Sequence, residues 1–303
     1  MKLSVVITAY NVQDYILECI NSVKHQKISK GHFIEIIVVE DKSTDNTLAK
    51  LHEINGFKLI QNKENVGAGL SRRIGIQNAT GEYIMLLDGD DYLENENHLN
   101  TLINKAVETN ADVVGGGIKI LKEDNSYDIT SYGTYTCEGY EKISKFWGER
   151  IVFMNNKIIR KTMYDKFPYC TRRYIEDTPV IIPILWAANK VEYVDTIGYV
   201  YRMRQDSLTH EADDFKNLVF KALCWCDLME FFNKEDKEVF NHINIKGYIT
   251  NTINILNNSI LIPSIVQPYA NEFAELMLRL INLIKVESIN FKEIKCNNTN
   301  GQK

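Results

Sequence analysis

The sequence predicts an α/β protein with a doubly wound, mostly parallel sheet and a helical C-terminal region. Short apolar runs alternate with segments of helical periodicity three times within about the first ninety residues. Such alternation is typical of parallel strands joined by right-handed crossovers. From Asp214 to about Lys285 the apolar positions recur with helical spacing instead. The 303 residues, 45% of them hydrophobic, suffice for a sizeable core.

The predicted sheet begins with four apolar runs of strand length. Between them lie segments whose apolar residues recur every three or four positions, which indicates helices. Ser43, Thr44 or Asp45 can cap the second helix. The predicted strands are Leu3–Ala9, Phe33–Val39, Phe57–Gln61 and Tyr83–Leu87, and the predicted helices are Tyr15–Lys24, a helix ending near His52, and Gly67–Asn78.

Beyond this region the pattern is more mixed. Ala111–Leu121 is strand-like, although its glycines at 115–117 indicate either a plain bulge or a bend close to a ligand. Lys122–Tyr140 is polar and typical of a hairpin. A helix is expected from Pro179 with Asp177 or Thr178 as its cap. We interpret Val191–Tyr201 as a pair of strands.

Polar side chains stand at the ends of three predicted parallel strands. In sheets of this kind, ligands bind outside the carboxyl ends of the strands. A single acidic turn could be a solvated loop, but three polar strand ends along one edge favour a functional site. These residues are Thr8 and Tyr10, Glu40 and Asp41, and Asp88 and Asp90.

The run Asp88-Gly89-Asp90-Asp91 carries the strongest indication of chemistry. In extended chain, residues two apart point to the same side, so Asp88 and Asp90 are expected to converge, with Gly89 leaving room beside them. Converging carboxylates repel unless a cation lies between them. Mg²⁺ and Mn²⁺ take oxygen ligands and keep positions open for phosphates, so we expect a metal and diphosphate site.

Composition and sequence patterns disfavour several classes of protein. The net charge of −5 gives no electrostatic case for nucleic-acid binding, which usually needs a basic surface. The N-terminus lacks a signal-peptide cleavage pattern, and Ile249–Val266, the nearest approach to a membrane span, contains four asparagines and Pro263. The six cysteines lack metal-ligand spacing and are expected to be free thiols. A cytoplasmic protein is expected, with a peripheral membrane contact left open.

With these motifs in hand, the chain resembles the inverting family-2 glycosyltransferases of the GT-A fold. The resemblance extends from Lys2 to about His210 and implies a catalytic domain over 1–212. Residues 1–120 would form its nucleotide-sugar-binding half and 121–212 its acceptor-binding half, followed by helices over 213–290 and a loose tail over 291–303. The matching stretches, in the family's order, are Ser4–Asn11, Val38–Thr47, Gly81–Asp91, Asn155–Arg160, Glu176-Asp177 and Tyr201–Thr209.

The resemblance implies where the nucleotide binds. Thr8, Ala9 and Tyr10 would line the nucleoside pocket, with the Tyr10 ring against the base. Asp41 would accept the base N–H, which suits uracil or thymine and favours a UDP-sugar donor. Arg72 would lie near the nucleotide. Glu40 departs from the aspartate usual in the family, and Arg73 departs from the usual asparagine.

The resemblance also implies a metal site with Mn²⁺ or Mg²⁺ as cofactor. Asp90 would bind the cation that bridges the two phosphates, and Asp88 would hold the ribose or lie in the outer shell of the metal. His210 would supply a late metal or phosphate contact.

Sugar transfer also requires a base for the acceptor hydroxyl, and we assign that role to Asp177, against the alternative of a simple helix cap. Its neighbour Glu176 would point either away from or toward the sugar. Arg202, Arg204 and His210 can either close over the diphosphate or form a solvated basic strand end.

Other functions stay open. A sugar nucleotidyltransferase would usually carry a glycine-rich basic loop after the first strand, where this chain has Tyr10-Asn11-Val12. A catalytically silent nucleotide-sugar or glycan-binding subunit would be expected to lack Asp90 or Asp177, and both are present. The acceptor would be a glycan, a lipid-linked sugar or a polyol phosphate. The C-terminal helices could pack on a partner, on a second copy of the chain or on a membrane face.

Overall fold

The computed structural model describes residues 1–131, 133–143, 154–165, 177–204, 215–242 and 270–285. The chain divides into two compact units, Met1–Gln205 and Asp206–Lys303. The first unit contains every predicted site residue except His210.

The first unit is built on one mixed, mostly parallel sheet. Its strand order is β3-β2-β1-β4-β9-β6-β10-β5, with β7 added to β6 and β8 added to β10. The strands are β1 (Lys2–Ala9), β2 (Phe33–Glu40), β3 (Lys58–Gln61), β4 (Tyr83–Asp88), β5 (Tyr92–Leu93), β6 (Val113–Leu121), β7 (Tyr127–Thr130), β8 (Tyr135–Cys137), β9 (Lys157–Arg160) and β10 (Val191–Arg202).

Helices join the parallel strands, as the alternating pattern predicts. Strand β1 is buried along nearly its whole length and pairs in parallel with both β2 and β4, so the predicted parallel sheet is confirmed in this region. The helices of this unit are α1 (Ile16–Lys24), α2 (Thr47–His52), α3 (Ala68–Asn78), α4 (His98–Thr109), α5 (Lys161–Asp165) and α6 (Thr178–Ala187).

Strand β9 runs against its neighbours. It pairs antiparallel with β4 on one side and with β6 on the other. Its amino end therefore lies at the edge of the sheet where β1 and β4 have their carboxyl ends. That edge is where the site is built.

The interpretation of Val191–Tyr201 as two strands is wrong. The segment is one twelve-residue strand, β10, paired in parallel with β6, and the register shifts between Tyr193 and Tyr199. Gly198, a residue type that weakens strands, lies against the His98 ring, where a Cβ atom would be 2.2 Å from His98 Cγ. The glycine makes room for a side chain and does not end the strand.

The glycines of β6 are explained by close packing against Tyr193 of β10 and against the helix α4. This helix was not predicted from the sequence. The α4 helix buries Leu99, Leu102 and Ile103 together with His98. A Cβ atom on Gly115 would be 2.7 Å from the Tyr193 ring, and one on Gly116 would be 2.9 Å from His98. Of the two interpretations of these glycines, close packing near a bulge is the one that fits.

The second unit contains the described helices α7 (Phe215–Glu235) and α8 (Ala270–Lys285) and a 3₁₀ helix at Lys237–Asn241. Arg279 joins α8 to α7 through ion pairs with Asp227 and Glu230. None of the described helices is long and apolar enough to cross a bilayer. Four cysteines within the described ranges (Cys19, Cys137, Cys224 and Cys226) are buried free thiols, as expected.

Candidate active site

The three polar strand ends meet at one edge of the sheet. Thr8 lies opposite Asp88 in the β1–β4 pairing, and Ala9 lies opposite Glu40 in the β1–β2 pairing. Thr8 Oγ1 donates to Asp88 Oδ1 over 3.1 Å. The predicted convergence of these strand ends is confirmed.

Arg72, on α3, joins two of the predicted acids. Its Nη2 donates to both oxygens of Asp88, at 2.9 and 3.1 Å, and its Nη1 donates to Asp177 Oδ1 at 2.7 Å. The guanidinium is almost fully buried. A planar fork of donors can hold two carboxylates in a fixed relation, which an ammonium group cannot do. Arg72 therefore links the end of β4 to the start of α6.

Asp88 is the most heavily hydrogen-bonded of the acids. Besides Thr8 and Arg72, Asn155 Nδ2 donates to Asp88 Oδ2 at 2.9 Å. Burial alone would raise the pKa of Asp88, but the Arg72 charge and these hydrogen bonds outweigh it, so the pKa is lowered. Asp88 is a fixed anion at neutral pH.

The expectation that Asp88 and Asp90 project side by side from extended chain is wrong. The chain turns after β4, and the Asp91 amide donates to the Asp88 carbonyl at 3.0 Å. Gly89 allows the turn to press against β1, because a Cβ atom there would lie 2.8 Å from the Thr8 carbonyl oxygen. Each carboxylate consequently has its own set of partners.

Asp90 pairs with Arg204, which follows β10. The distance from Arg204 Nη2 to Asp90 Oδ2 is 2.7 Å. Burial raises the pKa of Asp90; the Arg204 charge opposes that rise and the Asp88 charge adds to it. The predicted metal ligand is thus held by a cation of the protein itself.

Asp91 and Arg202 fasten the turn to β10. The Asp91 carboxylate accepts from the Tyr199 hydroxyl and from the Arg202 amide, the latter at 2.9 Å. The Arg202 guanidinium donates to the Asp90 carbonyl at 3.1 Å and to Glu18 at 2.7 Å. Arg202 is therefore an anchor of the turn, which differs from the role considered for it over the diphosphate.

Asp177 stands at the start of α6, but its carboxylate caps no helix amide. Burial raises the pKa of Asp177, and the nearby Arg72 charge only partly counters the effect. Lys157, buried on β9, is close enough to interact electrostatically, and burial lowers its own pKa to about 7. A carboxylate with a raised pKa is better matched to proton abstraction than a surface aspartate.

The residues predicted to contact the nucleoside have other partners in this structure. The Asp41 carboxylate accepts from Asn62 and from the amides of Val66 and Gly67, at 2.8 to 2.9 Å. Ala9 is buried, and its carbonyl accepts from the Asp41 amide. Tyr10 is 42% exposed at the same edge. Their contacts with a nucleoside stay predictions.

A divalent cation fits the charge balance of this edge. Within the described ranges, no three His, Cys, Asp or Glu side chains are grouped as a complete metal cage. Mg²⁺, however, is commonly held by one or two carboxylates plus substrate phosphates. The carboxylates linked at this edge still outnumber the basic groups when all are ionised: Glu18, Asp88, Asp90, Asp91 and Asp177 against Arg72, Arg202, Arg204 and Lys157.

Two predicted site residues, Glu176 and His210, lie outside the described residues, so their roles stay predictions. No role was predicted from the sequence for Asn155, Tyr199 or Asp91. Asn155 Nδ2 bridges Asp88 and the Tyr199 hydroxyl, both at 2.9 Å. Two features of the sequence could have indicated these residues: a third carboxylate directly after Asp90, and two asparagines before a buried strand.

Comparison with known proteins agrees with this geometry. A family model described as "Glycosyl transferase family 2" matches residues 4–168. Glycosyltransferase GlyG of Streptococcus pneumoniae serotype 4 is 28% identical over 249 residues, which are 77% of this chain and 79% of GlyG. Glycosyltransferase GlyA of the same organism is 27% identical over 231 residues, but these are 69% of this chain and 31% of GlyA.

A third relative is TarS of Staphylococcus aureus, a poly(ribitol-phosphate) β-N-acetylglucosaminyltransferase. It is 37% identical over 100 residues, which are 32% of this chain and 17% of TarS. The crystal structure of TarS residues 1–349 in complex with UDP-GlcNAc superposes with a TM-score of 0.62 and 20% identity, covering 97% of this chain and 89% of that one. This similarity confirms the predicted GT-A fold. With a family model matching more than half of its length, the chain belongs to glycosyl transferase family 2.

Proposed function

We propose that the protein transfers a sugar, with inversion, from a nucleotide-diphosphate sugar to an acceptor hydroxyl, and that it needs a divalent cation. One observation carries the proposal: Arg72 ties Asp88, at the predicted nucleotide edge, to Asp177, the predicted base. A donor-binding acid and a base held by the two terminal nitrogens of one guanidinium suit a direct displacement, because that reaction needs the base and the leaving group in a fixed relation, on opposite faces of the sugar.

In this proposal Asp177 takes the proton from the acceptor hydroxyl. Its carboxylate is half-buried and its pKa is raised, so it holds a proton more readily than an ordinary aspartate once the hydroxyl is in reach. Arg72 keeps the carboxylate in one orientation and stabilises its ionised form before the reaction. Removal of a single general base typically lowers the rate by roughly 10² to 10⁴-fold.

Asp90 would hold the cation, Mn²⁺ or Mg²⁺, with oxygens of the diphosphate completing its coordination. When bound, such an ion offsets the negative charge that develops on the departing diphosphate. The excess of carboxylates at this edge supports the assignment. Burial raises the pKa values of Asp90 and Asp91, the charges of neighbouring carboxylates raise them further, and a cation there would relieve that repulsion. His210 remains a candidate for a further contact.

For the donor we propose a UDP-sugar. The support is the predicted pairing of Asp41 with an imide N–H and the similarity to TarS, whose structure was determined with UDP-GlcNAc. TarS and a β-glucosyltransferase of Bacillus spizizenii are both named for poly(ribitol-phosphate), so a polyol phosphate or another cell-surface glycan is the proposed acceptor class. Work on such acceptors would place the protein at the inner face of the cell membrane.

The decisive experiment measures nucleotide release from UDP-, dTDP- and GDP-sugars with Mn²⁺ or with EDTA. Polyol phosphate and glycan acceptors are added in turn. We expect release from one UDP-sugar, dependent on metal and increased by one acceptor class. Asp177→Asn should still bind the donor but lose turnover, and Asp90→Asn should lose metal-dependent binding. Failure of the wild type to bind any nucleotide sugar would overturn the proposal.

A further inference from the structure

We infer that Arg204 is an exchangeable counter-ion of Asp90: it occupies the carboxylate in the donor-free protein, is displaced by the divalent cation, and then binds the diphosphate. The inference rests on the proposed function, because it concerns how the same site is loaded. The three arginines of the site, Arg72, Arg202 and Arg204, are held in different ways.

Two of these arginines are fixed. Arg72 donates to Asp88 and Asp177 together. Arg202 is held at its backbone amide by Asp91, and its side chain donates to the Asp90 carbonyl and to Glu18. Moving either guanidinium would break several hydrogen bonds and leave buried acceptors unpaired, which is costly.

Arg204 is held much less completely. Among the described residues its side chain makes one ion pair, between Nη2 and Asp90 Oδ2 at 2.7 Å, and its guanidinium lies 5.3 Å from the centre of the Tyr15 ring. Its Nε is buried, and within the part of the chain that the structure describes it has no hydrogen-bond partner. A buried donor that lacks a partner makes this position of the side chain less favourable than a fully satisfied one.

The carboxylate that Arg204 occupies is also the one best placed to bind a cation. Asp88 is already saturated by Thr8, Arg72 and Asn155. Asp91 is almost fully buried, and each of its oxygens already accepts one hydrogen bond, from the Tyr199 hydroxyl or from the Arg202 amide. Asp90 has Arg204 as its side-chain partner, so a divalent ion and Arg204 must compete for the same oxygens.

Release of Arg204 would not leave its charge without a partner. A metal-bound nucleotide brings a diphosphate to the same place, and guanidinium groups bind phosphate oxygens through two parallel hydrogen bonds. The exchange therefore replaces one ion pair, Arg204 with Asp90, by two: Asp90 with the cation and Arg204 with the diphosphate. Metal and nucleotide are then expected to bind cooperatively. The ligand that binds first breaks the ion pair of Arg204 with Asp90, so the second ligand binds without that cost.

The test is the affinity for Mn²⁺ alone, measured by calorimetry without nucleotide, for the wild type and for Arg204→Gln. If Arg204 competes with the ion, Arg204→Gln should bind Mn²⁺ roughly tenfold more tightly, the order expected for one charge-assisted hydrogen bond. With Mn²⁺ saturating, the same variant should bind UDP roughly tenfold more weakly. Arg204→Lys, which keeps the charge, should fall between the two proteins in both measurements.

Lys2→Gln is the matched control. It removes one positive charge from an ion pair with Glu35, at the amino end of β1. It should leave both affinities within about twofold of the wild type, since the amino ends of the parallel strands lie at the edge of the sheet opposite the site. Thermal unfolding confirms that every variant is folded.

The inference is overturned if Arg204→Gln binds Mn²⁺ no more tightly than the wild type while UDP and metal still bind to the wild type. The metal assignment itself fails, and the inference with it, if Asp90→Asn retains the Mn²⁺ affinity of the wild type. Nucleotide-sugar turnover by the wild type is measured separately, so the broader proposal can be judged apart from this one.

Discussion

Arg72 Nη1 lies 2.7 Å from Asp177 Oδ1, so a helix in the nucleotide half of the first unit fixes the predicted base in the acceptor half. The two residues are 105 positions apart in the sequence. The contact means that the orientation of the base depends on a residue whose other partner is Asp88. Changes on either side should therefore affect catalysis through Arg72.

Arg72→Lys should fold but catalyse poorly. An ammonium group lacks the planar fork that binds both half-buried carboxylates, Asp88 and Asp177, and loss of one such charge-assisted hydrogen bond costs roughly 1.5 to 3 kcal/mol. We expect a lower midpoint of urea unfolding and roughly a 100-fold loss of kcat in nucleotide-sugar turnover, since small displacements of catalytic groups have effects of this order.

Arg160→Lys is the control for Arg72→Lys. Arg160 pairs with Glu82 and Asp112 at the opposite edge of the sheet. The Arg160→Lys variant should have a lower midpoint of urea unfolding than the wild type but the same kcat. A catalytic loss equal to that of Arg72→Lys would mean that destabilisation alone explains the effect.

The pH profile of kcat/KM should report Asp177. A base must be ionised to act, and burial raises the pKa of Asp177, so activity should fall on the acidic side at a pH above the ordinary range for aspartate. The Arg72 charge opposes that rise, so Arg72→Gln should move the acidic limb to still higher pH. If the acidic limb of the profile does not move in Arg72→Gln, that limb reflects the ionisation of a group other than Asp177.

His98 should make the protein less stable in mild acid. Burial lowers the pKa of His98 to about 4, against about 6.5 in the unfolded chain. Between these values the unfolded chain binds the proton and the folded protein does not. Stability is therefore full above a pH of about 6.5 and falls as the pH drops from there toward about 4, with a loss of about 2 kcal/mol between about pH 7.5 and about pH 5.

The measurement for His98 is urea unfolding at both pH values in the wild type and in His98→Gln. The difference between the two proteins isolates the histidine from the carboxylates of the site. We expect the acid-dependent loss to be about 2 kcal/mol smaller in His98→Gln. An equal loss in the two proteins would contradict a neutral, buried His98.

Gly198→Ala should destabilise the first unit through the same histidine. Its Cβ atom would lie 2.2 Å from His98 Cγ and 2.4 Å from His98 Nδ1, too close for any contact. A loss of about 1 to 3 kcal/mol is expected from such overpacking, measured by urea unfolding at neutral pH. In the double variant Gly198→Ala, His98→Ala the two costs should be much less than additive. Full additivity would show that the two residues do not share the space.

The sequence could predict the parallel half of the sheet because local patterns determine it. Buried parallel strands are continuous apolar runs, and the acids at their ends meet because the strands are parallel and adjacent. The continuity of β10 is different, because it depends on Gly198 lying against the His98 ring, which belongs to a helix far away in the sequence. No local pattern reveals such a contact.

The candidate site shows the same contrast between residues that a local pattern reveals and contacts that depend on tertiary structure. The sequence singled out Asp88, Asp90, Asp177 and Arg72 as candidates from their motif positions, and the structure brings them together. It could not assign their partners, since the pairing of Arg204 with Asp90 and of Arg72 with Asp177 depends on tertiary structure. Treating Asp88 and Asp90 as neighbours on extended chain failed because the chain closes a turn onto the Asp88 carbonyl.

The reversed direction of β9 gives the site a second source of side chains. In a purely parallel sheet, residues reach the ligand edge as a strand ends. Here Asn155 reaches it just before a strand begins, and it binds both Asp88 and Tyr199. In a sheet that contains an inverted strand between parallel ones, a search for active-site residues should therefore also include the positions that precede that strand.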